Sequence, residues 1–199
     1  MYDCVMPAAG AASRMGRLKQ LLPLRGSTIV ELSAGAALAA GARLLLVLGH
    51  AAYEVEALFR APAYAAALGE GRLHFVPNPL WEEGLLGSIQ AALPLVRGEA
   101  FFVAHADMPF VEIASYAGLA AAFEEGGPPR AVFAAHGGRR GHPALLPSAW
   151  IPEILALDPR LSLGDFASRR PCLLVETGSG ALRDIDTPGD YGEALERRG

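Results

Sequence analysis

The sequence predicts an α/β protein with a single doubly wound, mainly parallel sheet and helices on both of its faces. Short apolar runs alternate with segments of helical character along the chain, and this alternation is typical of a parallel sheet. A chain of 199 residues can bury about 70% of its unfolded surface in one core and is short for two domains. We therefore expect residues 1–199 to form one domain, in which the linker-like segment 125–129 is only a loop.

Three strands and two helices are expected in the first half of the chain. The short apolar run at residues 4–6 predicts the first strand, and the continuous apolar run at 44–48 predicts a buried strand. A third strand is expected at residues 73–76. Thr28-Ile29-Val30-Glu31 has the form of a capping box, which predicts that a helix begins there and ends at Gly41. The alanine-rich segment 52–68 is also expected to be helical, with an interruption at Pro62.

The second half is expected to continue the alternation. Ser88 is expected to cap a helix that ends near Leu95, and Phe123 to lie at the end of another helix. Strands are expected at residues 100–104, at 131–135 and 144–146 on either side of Gly137-Gly138, and late in the chain after Cys172. Thr187-Pro188 predicts the start of a terminal helix.

Composition and charge narrow the class of partner. The 17 basic and 21 acidic side chains leave a net charge of -4, whereas nucleic-acid-binding proteins usually carry a basic surface. No apolar stretch approaches the roughly 20 residues that span a bilayer, and the N-terminal segment, with Asp3 and no cationic region, does not resemble a signal peptide. Cys4 and Cys172 suggest no metal site and are expected to be buried free thiols in a reducing compartment. We therefore expect a cytoplasmic protein that acts on small molecules, with no nucleic acid or membrane as partner.

Lys19 is the only lysine of the chain and lies in a loop rich in small residues, from Ala8 to Leu22. All other basic residues counted as Lys or Arg are arginines, so the single ammonium group indicates a compact hydrogen-bond donor to phosphate. The alternative is that Lys19 is a surface lysine that occurs there by chance. The P-loop pattern fails because the spacing between Gly10 and Gly16 is too long, and the dinucleotide fingerprint fails because its second glycine is missing. The loop is long enough to fold over a triphosphate, and we expect Lys19 to be exposed in it.

Asp107 follows the apolar segment 101–104, so it is expected at the carboxyl end of a strand. In an open parallel sheet, ligands bind beyond the carboxyl ends of the strands, and the loop at Gly10 also follows a strand at that edge. Mg2+ commonly takes one or two carboxylates together with substrate phosphates. The two segments together favour a metal ligand at Asp107 over an ordinary turn or helix cap.

Five blocks of sequence carry a family resemblance. In chain order they are Ala8-Ala9-Gly10 through Arg14-Met15-Gly16 to Lys19-Gln20-Leu21-Leu22-Pro23-Leu24, then Asn78-Pro79-Leu80-Trp81-Glu82-Glu83-Gly84 ending at Ser88, then Ala106-Asp107-Met108-Pro109, then Gly138-Arg139-Arg140-Gly141-His142-Pro143, and Asp184-Ile185-Asp186-Thr187-Pro188. They closely resemble the MobA-like nucleotidyltransferases, and especially the molybdenum cofactor cytidylyltransferases. The resemblance extends over nearly the whole chain.

The resemblance implies a Rossmann-like nucleotidyltransferase fold and transfer of a nucleoside monophosphate from an NTP to a phosphate-bearing acceptor. Mg2+ is the implied cofactor and pyrophosphate the product. The most similar branch implies that the acceptor is molybdopterin, a flat pterin, with a molybdoenzyme as a candidate recipient of the product. It also implies CTP rather than GTP, because Ala9 stands where the guanylyltransferase branch has glycine and its methyl group leaves less space for a purine.

The residues and the resemblance together assign roles within the site. Lys19, Arg14 and Asp107 are expected to be catalytic, with the two cations neutralising charge on the phosphates. Mg2+ is expected to bind Asp107 and Asp186, and a cap of the last helix is the alternative role of Asp186. The nucleotide is expected to contact Ala8, Ala9, Gly10, Arg14, Gly16, Lys19, Asn78 and Ser88, and the acceptor to contact Trp81 and His142. Each of these contacts has a structural alternative. Asn78 is then part of a turn and Ser88 a helix cap. Trp81 then packs in the core, and His142 orders a glycine turn.

Three other functions stay open at this point. Pro7 before the first block also resembles the methylerythritol-phosphate cytidylyltransferases, although residues 108–110 lack the arginine expected behind the aspartate and there is little room for a dimerisation arm. Sugar-1-phosphate nucleotidyltransferases are the second alternative, and their added domains are missing. The third is a non-catalytic carrier of the molybdenum cofactor, which would use the same pocket without turnover.

Overall fold

A computed structural model describes residues 1–10, 18–127 and 129–196 of the chain. The strands in these residues are β1 (Asp3–Pro7), β2 (Pro23–Leu24), β3 (Ser27–Thr28), β4 (Arg43–Leu48), β5 (Leu73–Pro77), β6 (Ala100–Val103), β7 (Ala131–His136), β8 (Arg139–Pro147) and β9 (Cys172–Glu176). The α-helices in them are α1 (Ile29–Ala39), α2 (Ala52–Phe59), α3 (Ala65–Gly69), α4 (Leu85–Ala92), α5 (Ile113–Glu124), α6 (Ile151–Leu155), α7 (Leu163–Ser168) and α8 (Pro188–Glu196).

A seven-stranded sheet in the order β5-β4-β1-β6-β8-β7-β9 forms the centre of the molecule. Its strands pair in parallel except at β8, which is antiparallel to both β6 and β7. The two-residue strands β2 and β3 pair separately as a small hairpin. The expected mainly parallel sheet is therefore confirmed.

Both faces of the sheet are covered, and β4 shows how its sequence achieves this. Successive side chains of a strand point to opposite faces. Leu44, Leu46 and Leu48 pack in one core with buried residues of α1, α2 and α5, whereas Leu45 and Val47 pack in another with buried residues of α4, α6 and α7. The uninterrupted apolar run of this strand thus reflects burial on both sides.

The capping box at the start of α1 forms as expected. Glu31 donates its backbone N–H to the Thr28 hydroxyl, and its side chain accepts the backbone N–H of Thr28 at 3.0 Å. The helix ends at Ala39, and Gly41 follows with φ of +83°. This positive φ is the conformation in which glycine commonly ends a helix.

A buried ion pair fixes the amino ends of β1 and β4. Arg43 contacts the Asp3 carboxylate through two hydrogen bonds, at 2.6 and 2.8 Å, and donates a third to the carbonyl of Leu95. The backbone N–H of Arg97 also donates to Asp3. This network lies at the sheet edge opposite to the carboxyl ends of the strands.

Two sequence expectations are wrong. Ser88 lies inside α4, because the chain enters this helix one turn earlier at Gly84, whose φ is +131°. Cys172 is exposed, unlike the buried Cys4, because it begins β9, an edge strand of which alternate residues face solvent.

In the described parts of the chain, no helix combines the length and apolar character needed to cross a bilayer.

Candidate active site

The candidate site lies at the carboxyl ends of β1 and β6, two adjacent parallel strands. Ala8, Ala9 and Gly10 follow β1, and Asp107 comes shortly after β6. Parallel neighbours end at the same edge of a sheet, so the two segments meet there. Residues 8–10, where the small-residue loop begins, and Asp107 are thus neighbours in the structure.

Lys19 connects this edge to the C-terminal part of the chain. It begins a 3-10 turn, Lys19–Leu21, and its Nζ lies 2.6 Å from Asp107 Oδ2 and 2.5 Å from Asp186 Oδ1. Its side chain is only 14% exposed, so the expectation of an exposed lysine is wrong. The ammonium group is largely buried because it lies between the Asp107 and Asp186 carboxylates.

The charged forms of Lys19, Asp107 and Asp186 stabilise one another. Burial alone lowers the pKa of Lys19, but the Asp107 and Asp186 carboxylates outweigh this effect and raise it. The same carboxylates, in addition to burial, raise the pKa of the nearby Asp184. Lys19 is therefore charged at neutral pH, and it offsets repulsion between Asp107 and Asp186.

Asp107 and Asp186 suit a magnesium ion. Both reach a single Nζ atom, so their oxygens converge, and the buried Asp107 Oδ1 accepts no hydrogen bond from the residues that the structure describes. No cluster of three or more His, Cys, Asp or Glu side chains that could hold a metal exists among the described residues. A metal here would be held by the two carboxylates and would complete its shell with phosphate oxygens and water.

Asp186 is not the side chain that caps α8. Thr187 accepts the backbone N–H of Asp190 at 3.2 Å, and Asp190 accepts the backbone N–H of Thr187 at 2.7 Å. This reciprocal arrangement is a capping box. The Asp186 side chain instead contacts Lys19.

The described start of the loop after β1, residues 8–10, is packed closely. The carbonyl of Gly10 accepts a hydrogen bond from Gln20 Nε2 at 3.1 Å, and the carbonyl of Ala9 accepts one from the backbone of His50. A Cβ atom at Gly49 would lie 2.7 Å from Ala9 Cβ and 2.6 Å from Trp81 Cβ. Gly49 is therefore required for β1, β4 and Trp81 to approach one another.

Lys19 and Asp107 line a first cavity of about 410 Å³, together with Ala9, Gly10, Ser88 and Trp81. Asn78 lies behind Ser88: its side chain donates to Ser88 Oγ at 3.0 Å and accepts the backbone N–H of Leu80. The structure thus brings together Lys19, Asp107, Asp186 and the start of the loop. Arg14 and Gly16 lie outside the described residues.

A second cavity, of about 470 Å³, adjoins the first at Leu85, which lines both. His142 lines this second cavity and stacks on His105 with ring centroids 3.9 Å apart. Trp81 lies in the first cavity, where its ring centroid is 5.0 Å from that of His50. Trp81 and His142, which were expected to share the acceptor site, therefore face different cavities.

Both stacked imidazoles are neutral at physiological pH. Burial, and then the charge of Lys19, lowers the pKa of His105 to about 4. Burial, and then His105, lowers the pKa of His142 to about 3. His105 also lies near the carboxylates, with its Nδ1 4.0 Å from Asp107 Oδ1.

Sequence reasoning did not assign Gln20, Gly49 or His105 to the site. A glycine directly after a buried strand is a signal of close backbone approach, and Gly49 has that position. His105 stands two residues before Asp107 but matches no motif by itself. The pairing of Gln20 with Gly10 depends on the path of the loop.

A mainly parallel α/β sheet that brings a lysine and two carboxylates to its carboxyl edge, beside a cavity of about 410 Å³, is typical of an enzyme that binds a phosphorylated small molecule. The comparisons with known proteins are more specific. A family model described as the MobA-like NTP transferase domain matches residues 4–172. The chain belongs to this family and is a nucleotidyltransferase.

Individual relatives agree with this family. The chain is 32% identical to the molybdenum cofactor cytidylyltransferase of Escherichia coli K12, over 98% of this chain and 96% of that protein. The crystal structure of Rv0371c from Mycobacterium tuberculosis H37Rv is similar, with a TM-score of 0.80, 24% identity and coverage of 98% and 97% of the two chains. A complex of Rv0371c with manganese has a TM-score of 0.77, 23% identity and coverage of 98% of each chain. These similarities confirm the expected Rossmann-like fold.

Proposed function

We propose that this protein transfers CMP from CTP to the phosphate of the molybdenum cofactor, with molybdopterin as the acceptor core and Mg2+ as the metal. The observation that carries the proposal is the convergence of Lys19, Asp107 and Asp186 beside the first cavity, at distances of 2.6 and 2.5 Å. The name of the Escherichia coli relative supports the choice of nucleotide and acceptor.

The reaction needs no protein nucleophile. An oxygen of the acceptor phosphate forms a bond to the α-phosphorus of CTP, and the bond from that phosphorus to the bridging oxygen of pyrophosphate breaks. The protein contributes alignment and compensation of charge. Lys19 is the point charge for the phosphates, and Arg14 is proposed to assist it from the same loop.

Asp107 and Asp186 are proposed to hold Mg2+. When bound, the metal supplies positive charge to the triphosphate and to the departing pyrophosphate. The manganese complex of Rv0371c supports the use of a divalent cation in this family. Asp107 Oδ1, which accepts no hydrogen bond from the described residues, is the oxygen that is proposed to bind the metal.

We propose that the two cavities hold the two substrates. Ala9, Gly10 and Ser88 line the first cavity and face the nucleotide, and Asn78 holds Ser88 in place. Ala8 is buried in the core and supports Ala9. Trp81 lines this nucleotide cavity. The acceptor enters through the second cavity, where His142 contacts it, and reaches the metal site past His105.

The preference for CTP is proposed to depend on Ala9. Its methyl group is buried and lies beside Gly49, so it cannot move away from a larger base. One methyl group in a pocket changes the difference in transition-state binding free energy between two substrates by about 1–3 kcal/mol. We expect Ala9→Gly to narrow the ratio of CTP to GTP turnover.

A panel of substrates tests the function. Purified protein with Mg2+ is incubated with CTP or GTP and with molybdenum cofactor, methylerythritol phosphate or a sugar 1-phosphate, and pyrophosphate release is measured. We expect release with CTP and molybdenum cofactor only. Equal turnover of GTP would contradict the nucleotide assignment, and binding of the cofactor without release of pyrophosphate would identify a carrier.

Neither the fold nor the comparisons support delivery of the product to a molybdoenzyme, so such delivery is not part of the proposal.

A further inference from the structure

The two cavities differ in the charge of their walls. The first cavity is lined by Glu82, Asp107 and Asp186 in addition to Lys19. The second has no carboxylate among its lining residues, and its basic side chains include Arg140 and Arg160. The second cavity therefore favours an anionic ligand that brings its own negative charge.

Arg140 and Arg160 differ in whether their charge is already neutralised. Arg160 forms two hydrogen bonds to the Asp158 carboxylate, at 2.9 and 2.7 Å. Arg140 has no carboxylate within ion-pair distance in the described part of the chain. The guanidinium of Arg140 is the uncompensated charge of this cavity.

The position of the Arg140 guanidinium is nevertheless fixed. Its Cζ lies 4.6 Å from the centroid of the Phe133 ring, and its Nη2 donates to the carbonyl of Gly164 at 3.4 Å. A cation over an aromatic face is held by the charge distribution of the ring. Among the residues that the structure describes, this is the one hydrogen bond of the Arg140 side chain, so its other N–H groups can donate to a ligand.

Arg140 lies on the same face of β8 as His142, because residues two apart in a strand share a face. His142 stacks on His105, which in turn lies 4.0 Å from Asp107. Two stacked imidazole rings therefore lie between Arg140 and Asp107. Arg140 is exposed at the mouth of this cavity, and apolar side chains such as Val103 and Leu146 line the rest of it.

We propose that Arg140 determines acceptor specificity by pairing with an anionic group of the acceptor in the second cavity. This inference rests on the proposed function, since it assumes that an acceptor occupies this cavity. The anionic group is either the reacting phosphate or a second negative group of the same molecule. A guanidinium presents parallel N–H groups to two oxygens, which suits either group.

The test compares Arg140→Gln with Arg139→Gln in steady-state assays with CTP and molybdenum cofactor. Arg139 is the neighbouring arginine on β8 and does not line the second cavity, so its substitution is the matched control. We expect Arg140→Gln to raise the KM for the acceptor about tenfold or more. The KM for CTP and the melting temperature should stay close to those of the control, and Arg140→Lys should recover part of the acceptor affinity.

The outcomes separate the inference from the proposed function. A rise in acceptor KM with unchanged kcat indicates a second anionic group, whereas a rise in KM with a fall in kcat indicates the reacting phosphate; both support the inference. If the parent protein forms product and Arg140→Gln has the acceptor KM of Arg139→Gln, the inference is overturned and the function stands. If the parent forms no product, the proposed function fails and Arg140 loses its proposed ligand with it.

Discussion

The Lys19 ammonium is the cation that lets Asp107 and Asp186 stand close together. Its Nζ lies within 2.6 Å of both carboxylates. Two carboxylates that share a site repel each other unless a cation offsets their charge. Removal of the ammonium should therefore change both the free energy of unfolding and the binding of phosphate.

We expect Lys19→Met to lose most turnover and to lower the free energy of unfolding by about 1–3 kcal/mol at neutral pH, because charge-assisted hydrogen bonds are lost. Asp107 and Asp186 raise the pKa of Lys19 in the folded protein. The stabilisation is therefore fully present below the unfolded pKa of about 10.4 and is lost as the pH rises through the folded pKa. Urea unfolding of both proteins across this range measures the difference.

Lys19→Arg is the control, because it keeps the charge and changes its shape. It should keep most of the unfolding free energy and recover little turnover, since a planar guanidinium does not place its charge where a compact ammonium does. Turnover equal to that of the parent would refute the point-charge role of Lys19. A Met variant with the same stability deficit above and below the lysine pKa would refute the ion-pair role.

Asp107 and Asp186 should respond differently to loss of charge. Their side chains are 19% and 39% exposed, respectively, and Asp107 alone has a buried oxygen without a hydrogen-bond donor. We expect Asp107→Asn to abolish nearly all turnover at any Mg2+ concentration, whereas excess Mg2+ restores part of the turnover of Asp186→Asn. Initial rates measured across a Mg2+ titration compare the two.

The control for this pair is Thr187→Ala, which removes the helix cap beside Asp186 without changing a carboxylate. It should cost about 0.5–2 kcal/mol of stability and leave the Mg2+ dependence of the rate unchanged. Unchanged turnover in Asp107→Asn would remove the metal site from the mechanism.

At the scale of elements, the junction between β4 and α2 must approach the end of β1 closely. A Cβ at Gly49 would meet the backbone oxygen of Ala9 at 2.8 Å, and real Cβ atoms do not approach backbone so closely. The position of residues 8–10 beside the first cavity therefore depends on a glycine that directly follows the neighbouring strand β4.

Gly49→Ala should destabilise the protein by about 1–3 kcal/mol and weaken CTP binding, because Ala9 and Trp81 must move. Gly35→Ala is the matched control: Gly35 lies within α1 and has open space where a Cβ would be added. The control should be neutral or stabilising by about 0.5–1 kcal/mol. Thermal unfolding and calorimetric titration with CTP measure both effects, and equal behaviour of the two variants would contradict this role of Gly49.

Elements with strong local signals were predictable, and those without were not. The capping box located α1, and the apolar runs located β1 and β4, whose residues are buried throughout. The prediction of a strand at residues 73–76 located β5, an edge strand that is only partly buried. Sequence reasoning missed α6, α7 and the hairpin of β2 and β3. These helices have five and six residues and each of these strands has two. The start of α4 was misplaced because it depends on a positive φ at Gly84 rather than on a hydroxyl cap.

At the scale of the whole molecule, the sheet brings distant residues to one edge. The rule for parallel sheets predicted that Asp107 and the loop at Gly10 would meet. It could not predict that Lys19 would lie between two carboxylates, or that Trp81 and His142 would face different cavities. Those arrangements depend on how the C-terminal segment and α4 pack against the sheet, which no local pattern records.

The transfer of the α-phosphate of CTP is the most direct test of the central claim. The parent protein, with Mg2+ and molybdenum cofactor, is given CTP labelled at the α-phosphorus, and the label is followed into the cofactor by chromatography. We expect the label to enter the cofactor in the parent protein and not in Asp107→Asn, with one pyrophosphate released for each label transferred. Pyrophosphate release without label in the cofactor, or labelling that persists in Asp107→Asn, would contradict the proposed reaction at this site.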